Sequence, residues 1–386
     1  MDVLDQILHV IKMLPGAWLW FVLVFLVSGL IINIIQLSLL PLWFINKTLY
    51  RWLNLRIVYL HWCQLTFLAE WWGGVNIKLY GTKEDYNKLG IESGICLANH
   101  RSDVDWLIGW IMADRAGILG GTKCFMKGYL KFLPILGISW WSTEYAFVSR
   151  NWKHDKTVLE RSLQTLEDFP YPFWIAIFAE GTRITDEKLQ ASIEYAKNSG
   201  LPILHHHLLP RPRGFAITAH HLKDKIPVVY DMEIGFPPGN EPTMRKLLMG
   251  EGFEVHLLIR RIPVSAIPTA SIEETSDWCR QLYQEKDKVL GHFLEHKEFP
   301  APRVIYPRKL HNIFVVLAWH LLLLFPLVSY IISVLLSGNV KMLFIAFGVV
   351  ILGYLMVKVL LHVSDSKKGS SFGLKSTSNN VIKKKA

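Results

Sequence analysis

Charged residues are absent from Met13 to Asn46, and the apolar run Trp18–Leu40 inside that window is long enough to cross a bilayer, which takes about 20 apolar residues. The run is too long for a secretion-signal core and no small-residue cleavage site follows it, so it reads as a retained anchor. Two further apolar runs, Ile313–Leu336 and Met342–Val357, are separated by the turn Ser337-Gly338-Asn339. They predict a transmembrane helical hairpin whose first arm carries Pro326. The shorter second run also fits a buried or interfacial helix. From Ser364 onward the chain is rich in Ser, Lys and Asn, a composition that predicts disorder.

Between about Gly74 and Pro300 the pattern changes to short apolar stretches interleaved with helical periodicity. Val75–Tyr80 and Glu254–Arg261 alternate like half-buried strands. Gly94–Ala98, Phe173–Phe178 and Ile226–Asp231 are apolar runs of strand length, as strands covered on both faces are. Trp106–Met112 resumes helical spacing. Asp155–Phe169 carries Val158, Leu159, Leu163 and Leu166 on one side and stops at Pro170 and Pro172. Ser271-Ile272-Glu273-Glu274 resembles a capping box opening a helix with Trp278, Leu282, Val289 and Phe293 along one face. Lys123, Lys127 and Lys131 fall four residues apart among apolar neighbours, which predicts a helix over Lys123–Phe132 with its lysines toward an anionic surface or solvent.

Strands alternating with helices define the fold class as α/β, a mixed sheet flanked by helices, with an N-terminal membrane anchor and a C-terminal transmembrane hairpin. The expected organisation is an anchor and interfacial segment over 1–73, a central domain over 74–300, the membrane hairpin over 301–363 and a basic tail over 364–386.

Charge and composition sharpen this picture. Hydrophobic residues make up 51% of the chain and its net charge is +10, which suits an anionic membrane surface or anionic substrates. No zinc-finger or basic-zipper spacing points to nucleic acid. Lys47, Arg51 and Arg56 follow the anchor, Arg303, Arg308 and Lys309 precede the hairpin, and Lys358, Lys367 and Lys368 follow it. Such residues favour the cytosolic side, which places the central domain in the cytosol. Lys383 and Lys384, in the terminal Lys383-Lys384-Lys385-Ala386, resemble the dilysine retrieval signal of endoplasmic-reticulum membrane proteins; a basic tail touching anionic lipid fits as well. The four cysteines, Cys63, Cys96, Cys124 and Cys279, are scattered and suit a reducing compartment. Trp43, Trp52, Trp62, Trp71 and Trp72 suit either a membrane interface or a core. The sequon Asn46-Lys47-Thr48 lies on the cytosolic side of the anchor and is discounted as a glycosylation site.

Two strand exits carry candidate chemistry. Asn99-His100-Arg101-Ser102-Asp103-Val104-Asp105 leaves the Gly94–Ala98 strand and enters a helix. An aspartate near an imidazole fixes its tautomer and raises its basicity, as a general base requires. A capping aspartate beside a surface histidine fits the same spacing. Glu180-Gly181-Thr182-Arg183 leaves the Phe173–Phe178 strand: the glycine lets backbone approach a ligand, and the arginine offers a planar fork matched to phosphate. A turn with a solvated arginine fits too. A basic loop follows at Leu208–Phe215. His205-His206-His207 lacks ligand spacing, because adjacent strand residues point to opposite faces.

Together with Phe147-Val148-Ser149-Arg150, Phe178-Ala179-Glu180-Gly181-Thr182-Arg183 and Ile226-Pro227-Val228-Val229, the first motif resembles the blocks of the glycerolipid acyltransferases that share His-x4-Asp. The chain looks most like the eukaryotic 1-acylglycerol-3-phosphate (lysophosphatidic acid) acyltransferases, over about Gly74 to Pro300, with Ala179 where the family more commonly has proline. The resemblance implies a glycerolipid-acyltransferase-like fold at the endoplasmic-reticulum membrane. It implies acyl transfer from acyl-CoA to the sn-2 hydroxyl of a lysophosphatidic acid, making phosphatidic acid for phospholipid and triacylglycerol synthesis. His100 would be the base and Asp105 its orienting partner. Arg150 and Arg183 would clamp the phosphate with help from Thr182 and the Gly181 backbone, and Glu180 would orient an arginine or a substrate hydroxyl. Direct transfer is implied, with no metal and no cofactor beyond the co-substrate acyl-CoA. Other readings are the same chemistry on another lysophospholipid such as lysocardiolipin, and a non-catalytic membrane protein that binds lipid.

Overall fold

The structure, a computed structural model, describes residues 3–14, 16–149, 152–239 and 242–364. Strands β1 (Asn76–Tyr80), β2 (Gly94–Ala98), β3 (Thr122–Lys127), β4 (Ala146–Val148), β5 (Trp174–Ile177), β6 (Val228–Gly235), β7 (Glu254–Pro263) and β8 (Arg303–Val304) form one sheet in the order β4-β3-β5-β2-β6-β7-β1-β8. Neighbours are parallel except β6 with β7 and β1 with β8, which makes the sheet mixed.

The helices α1 (Val3–Met13), α2 (Ala17–Ser38), α3 (Leu40–Ile45) and α4 (Lys47–Phe67) precede the sheet. Within it come α5 (Lys83–Asn87), α6 (Asp105–Ala116), α7 (Leu136–Ser142), α8 (Trp152–Glu167), α9 (Asp186–Ser199), α10 (Arg213–Leu222), α11 (Met244–Leu248) and α12 (Ile272–His296). The chain closes with two apolar helices, α13 (His311–Ser337), ending at Gly338, and α14 (Val340–Ser364). By length and composition, Ala17–Ile45 and His311–Ser337 can each cross a membrane. The dilysine tail lies outside the described residues.

Each central strand is covered on both faces, which is why its sequence runs apolar without alternation. In β2, Cys96 and Ala98 join a core shared with α2, α4 and α6, whereas Ile95 and Leu97 face a core built from α8, α10 and α12. The tryptophans divide in the same way: Trp62 is fully buried and stacks on Trp110 at 4.6 Å, while Trp52 is exposed beside Arg56.

Three expectations change. Lys123–Phe132 is not a helix: Thr122–Lys127 is β3, held between β5 and β4, and Gly128–Phe132 is a 3-10 turn. Sheet pairing overrides the four-residue spacing, and Lys123 is buried with its ammonium over the Phe169 ring. The segment 1–73 is more than an anchor. Phe21, Val22, Phe25 and Leu26 belong to the same core as the sheet, so packing does not break at residue 73. Side-chain hydrogen bonds tie α2 in place: Asn33 Nδ2 donates to Ser139 Oγ at 3.0 Å, and Gln64 Nε2 donates to Ser28 Oγ at 2.8 Å. Arg51, counted as a topology signal, is buried and bridges Glu144 at 2.7 Å and Asp168 at 2.8 Å. Asn46 of the sequon caps α4, accepting from the Leu49 N–H at 2.9 Å.

Candidate active site

β2 and β5 are parallel neighbours with Leu97 opposite Ile177, so the segments leaving their C-terminal ends run side by side. Open α/β sheets bind ligands along that edge. Asn99 follows the last residue of β2, and its side chain takes over the strand's pairing with β6. Its Nδ2 donates to the Ile234 carbonyl at 2.9 Å, and its Oδ1 accepts from the Ile234 N–H at 2.8 Å.

His100 is held at three points. Its backbone N–H donates to Glu180 Oε1 at 2.8 Å, its carbonyl accepts from the Ile184 N–H at 2.9 Å, and its Nδ1 lies 2.8 Å from Asp105 Oδ2. Asp105 is itself locked. Its Oδ2 accepts from the N–H groups of Arg101 at 2.6 Å and Ser102 at 2.8 Å, and its Oδ1 accepts from Ser102 Oγ at 2.7 Å. A carboxylate only accepts, so the imidazole proton sits on Nδ1 and Nε2 presents its lone pair. Asp105 opens α6, where the helix dipole also favours its charge. Ser102 Oγ also accepts from the Val104 N–H at 3.2 Å, and α6 has no side-chain cap at its N-terminus. The Phe178 ring lies 4.5 Å from the imidazole and limits its swing.

The second exit folds as a turn, with the Gly181 N–H donating to the Phe178 carbonyl at 3.0 Å. Gly181 has φ 71°, a left-handed conformation that suits glycine. Lys188, buried in α9, donates to Thr182 Oγ1 at 2.8 Å and to the Arg183 carbonyl at 3.2 Å, which stiffens the turn. Glu180 is turned away from the ligand side. Its two oxygens accept from backbone N–H groups, Oε1 from His100 and Oε2 from Leu208 at 3.1 Å, rather than from an arginine. Burial raises the Glu180 pKa, while the nearby His207 charge and the two amides pull it back down.

A cavity of about 400 Å³ opens in front of His100. Its polar lining includes His100, Asp103, Asp105, Lys123, Lys127, Thr182 and Arg183, with Gly181 also on its wall. Its apolar walls include Phe25 and Leu26 of α2, Trp110 of α6 and Trp140 of α7. Thus His100, Asp105, Gly181, Thr182 and Arg183 share one cavity, Glu180 supports it from behind, and Arg150 lies outside the described residues. Asp103 and Lys127 were not picked out as site residues from the sequence. Asp103 sits inside the His-to-Asp motif, where it reads as a capping residue, and the four-residue spacing of Lys127 predicts a helix that does not form. Asp103 Oδ1 is buried without a hydrogen-bond partner among the described residues. Burial pushes this carboxyl up to about 6, against the lowering effect of Arg183. Among the described residues no group of three or more His, Cys, Asp and Glu side chains is placed to hold a metal ion.

Comparison with known proteins gives matches along most of the chain. The Acyltransferase family model matches residues 80–230, and the model for the acyltransferase C-terminus matches residues 246–319. The 1-acyl-sn-glycerol-3-phosphate acyltransferase delta of Homo sapiens is 38% identical over 353 residues, spanning 92% of this chain and 93% of that protein. The gamma form of Homo sapiens is 35% identical over 362 residues, spanning 94% and 95%. Among solved structures, the 1-acyl-sn-glycerophosphate acyltransferase PlsC from Thermotoga maritima matches with 15% identity and a TM-score of 0.39, covering 68% of this chain and 97% of that one.

Proposed function

This chain belongs to the 1-acyl-sn-glycerol-3-phosphate acyltransferase family, and from that premise we propose that it moves a fatty acyl group from acyl-CoA to the sn-2 hydroxyl of 1-acyl-sn-glycerol 3-phosphate, forming phosphatidic acid. The observation that carries this reading is the His100–Asp105 pair at 2.8 Å, opening on a cavity lined by Lys123, Lys127 and Arg183 and otherwise mainly by apolar side chains. A lysophosphatidic acid has that polarity: an anionic head, a hydroxyl and a long chain.

In the proposed reaction His100 Nε2 takes the proton of the 2-hydroxyl as that oxygen attacks the thioester carbonyl. The tetrahedral intermediate expels the CoA thiolate, and the imidazolium returns the proton to sulfur. Asp105 stabilises the imidazolium and keeps Nε2 pointed outward. Arg183 and Lys127 offer positive charge to the phosphate. A thiolate is a good leaving group, so the proposed reaction calls for no metal or additional cofactor. Both substrates carry acyl chains whose burial is worth about 0.8 kcal/mol per methylene, which favours chemistry beside a bilayer. We place the protein in the endoplasmic-reticulum membrane on the dilysine pattern of Lys383 and Lys384, with its active site toward the cytosol on the distribution of flanking Lys and Arg residues.

The test is an assay of the purified full-length chain in liposomes with one acyl-CoA and a panel of lysophospholipids. Turnover of lysophosphatidic acid that falls by roughly 10³-fold in His100→Ala supports the proposal. Turnover of lysocardiolipin or another lysolipid in its place overturns the acceptor. Undiminished transfer by His100→Ala overturns the mechanism.

A further inference from the structure

Behind the catalytic loop, on the far side of Glu180, lies a group of ionisable side chains shut off from solvent. His207 is 1% exposed, with Nε2 2.9 Å from Glu233 Oε1 on β6 and Nδ1 3.2 Å from Asp287 Oδ1 on α12. Both ring nitrogens face carboxylate oxygens, and both must carry protons to donate, so the ring is an imidazolium. Lys286 Nζ bridges Asp231 Oδ1 at 2.6 Å and Glu233 Oε2 at 3.0 Å, and Arg260 holds Asp231 Oδ2 at 2.5 Å. Asp287 also accepts the backbone N–H groups of His205, His206 and His207, at 2.9, 2.7 and 3.0 Å. That fixes the segment whose next residue, Leu208, donates to Glu180. Tyr283 sets its ring edge against His207 and donates its hydroxyl to the Ala98 carbonyl, one residue before Asn99.

We propose that His207 is a positioning residue for acyl transfer: as a buried imidazolium it keeps Glu180 ionised, so that both Glu180 oxygens accept the His100 and Leu208 amides and His100 stays aimed at its substrate. The proposal rests on the reading of His100 as the general base.

The chemistry of Glu180 explains why a cation is required behind it. A protonated carboxyl turns one oxygen into a hydroxyl donor, which would face an N–H donor and break the grip. Burial favours that neutral form, and the His207 charge opposes it. His207 keeps its own proton because Glu233 and Asp287 outweigh burial, raising it to about 9. The titratable groups facing Glu180 are His207, His100 on the catalytic loop and Tyr283 on α12. Those facing His207 are Glu233 on β6, Asp287 and Tyr283 on α12, Glu180, and His206 of its own segment, with Lys286 beyond Glu233 and Arg101 beside His206.

The experiment is the pH dependence of kcat for wild type, His207→Gln, Glu180→Gln and the double variant in liposomes. Removing the cation raises the pH at which Glu180 protonates, so the acid limb of His207→Gln moves up by about one pH unit or more. Activity recovers at alkaline pH, with both KM values within about twofold of wild type. In the Glu180→Gln background no carboxylate remains to protect, so His207→Gln adds no further shift. A uniform loss at every pH overturns the proposal, because it reports packing alone. A shift that persists without Glu180 also overturns it, because the charge then acts on His100 directly. Should His207→Gln fail to fold, ¹⁵N spectra of the wild-type protein in nanodiscs decide: two protonated nitrogens on His207 at about pH 7.5 are expected, and a neutral ring overturns the proposal. Wild-type turnover keeps the two readings apart. No acyl transfer by wild type removes the reaction itself, whereas normal wild-type transfer with an unmoved acid limb removes only the role of His207.

Discussion

The Asn99 side chain pairs with the Ile234 backbone at both donor and acceptor, at 2.9 and 2.8 Å, as a strand neighbour would. The chain can therefore leave β2 for the catalytic loop without abandoning the β6 edge. Asn99→Ala leaves a buried N–H and a buried carbonyl without partners, at about 1–3 kcal/mol for each unsatisfied group. The expected outcome is a clear fall in thermal unfolding temperature together with a drop in kcat, because the residue that starts the His100 loop loses its anchor. Unfolding in detergent and initial rates on the same preparation check this. An unchanged melting temperature would show that the pairing contributes nothing.

Asp105→Asn separates orientation from charge. The carboxamide keeps the shape: its oxygen takes the place of Oδ2, which accepts from His100 Nδ1 and from the Arg101 and Ser102 amides, and its NH2 lies toward Ser102 Oγ. That oxygen still accepts from His100 Nδ1, so the orientation and tautomer are kept, but the neutral amide no longer stabilises the imidazolium that forms when His100 takes the substrate proton. We expect kcat to fall by roughly 10³-fold or more, KM to change little and the fold to persist. Activity within a few-fold of wild type would return Asp105 to a capping role.

How much of this was legible in the sequence depends on where each residue's partners lie. His100 and Asp105 are five apart, and Gly181, Thr182 and Arg183 are contiguous, so local motifs marked them; the structure adds that they share one cavity. The buried strands β2 and β5 were visible because both of their faces are covered. The strand β3 was not, since Lys123 interrupts its apolar run and the pairing that makes it a strand comes from β5. The placement of Glu180 was equally hidden. Its partners His100 and Leu208 lie 80 residues before it and 28 after it. Packing of α2 into the core was masked by composition, because an apolar helix suits lipid and protein interior alike.

Asp103 carries a pH signature of its own. Its carboxyl is raised by burial from 3.8 to about 6. A carboxyl raised in the fold favours the protonated folded state, so ionised Asp103 destabilises the fold as pH rises from about 4 to 6, and the penalty stays constant above that. Asp103→Asn abolishes the penalty. The gain in unfolding temperature of the variant over wild type is expected to be small near pH 4, to grow through pH 6 and then to level off. Unfolding curves at about pH 4.5, 6 and 7.5 check the sign. A gain that shrinks with rising pH contradicts a raised carboxyl.

The role of α2 as a wall rather than a tether can be tested at Gly29. A Cβ there would meet Ile135 Cγ2 at 2.4 Å and the His61 Nε2 at 2.6 Å, so the helix fits against α4 and the start of α7 only because the side chain is absent. Leucine is better suited to lipid than glycine, and in a helix facing only lipid Gly29→Leu is harmless or favourable. In the packed helix it forces α2 away from Ile135 and His61, and overpacking of this kind typically costs about 1–3 kcal/mol. Since Phe25 and Leu26 of the same helix line the cavity, that displacement is also expected to lower kcat/KM several-fold. Leu30→Phe adds bulk one residue along on an exposed position, 57% accessible, and serves as the control expected to change neither. Equal behaviour of the two variants in membrane insertion, unfolding temperature and kcat/KM would reduce α2 to an anchor.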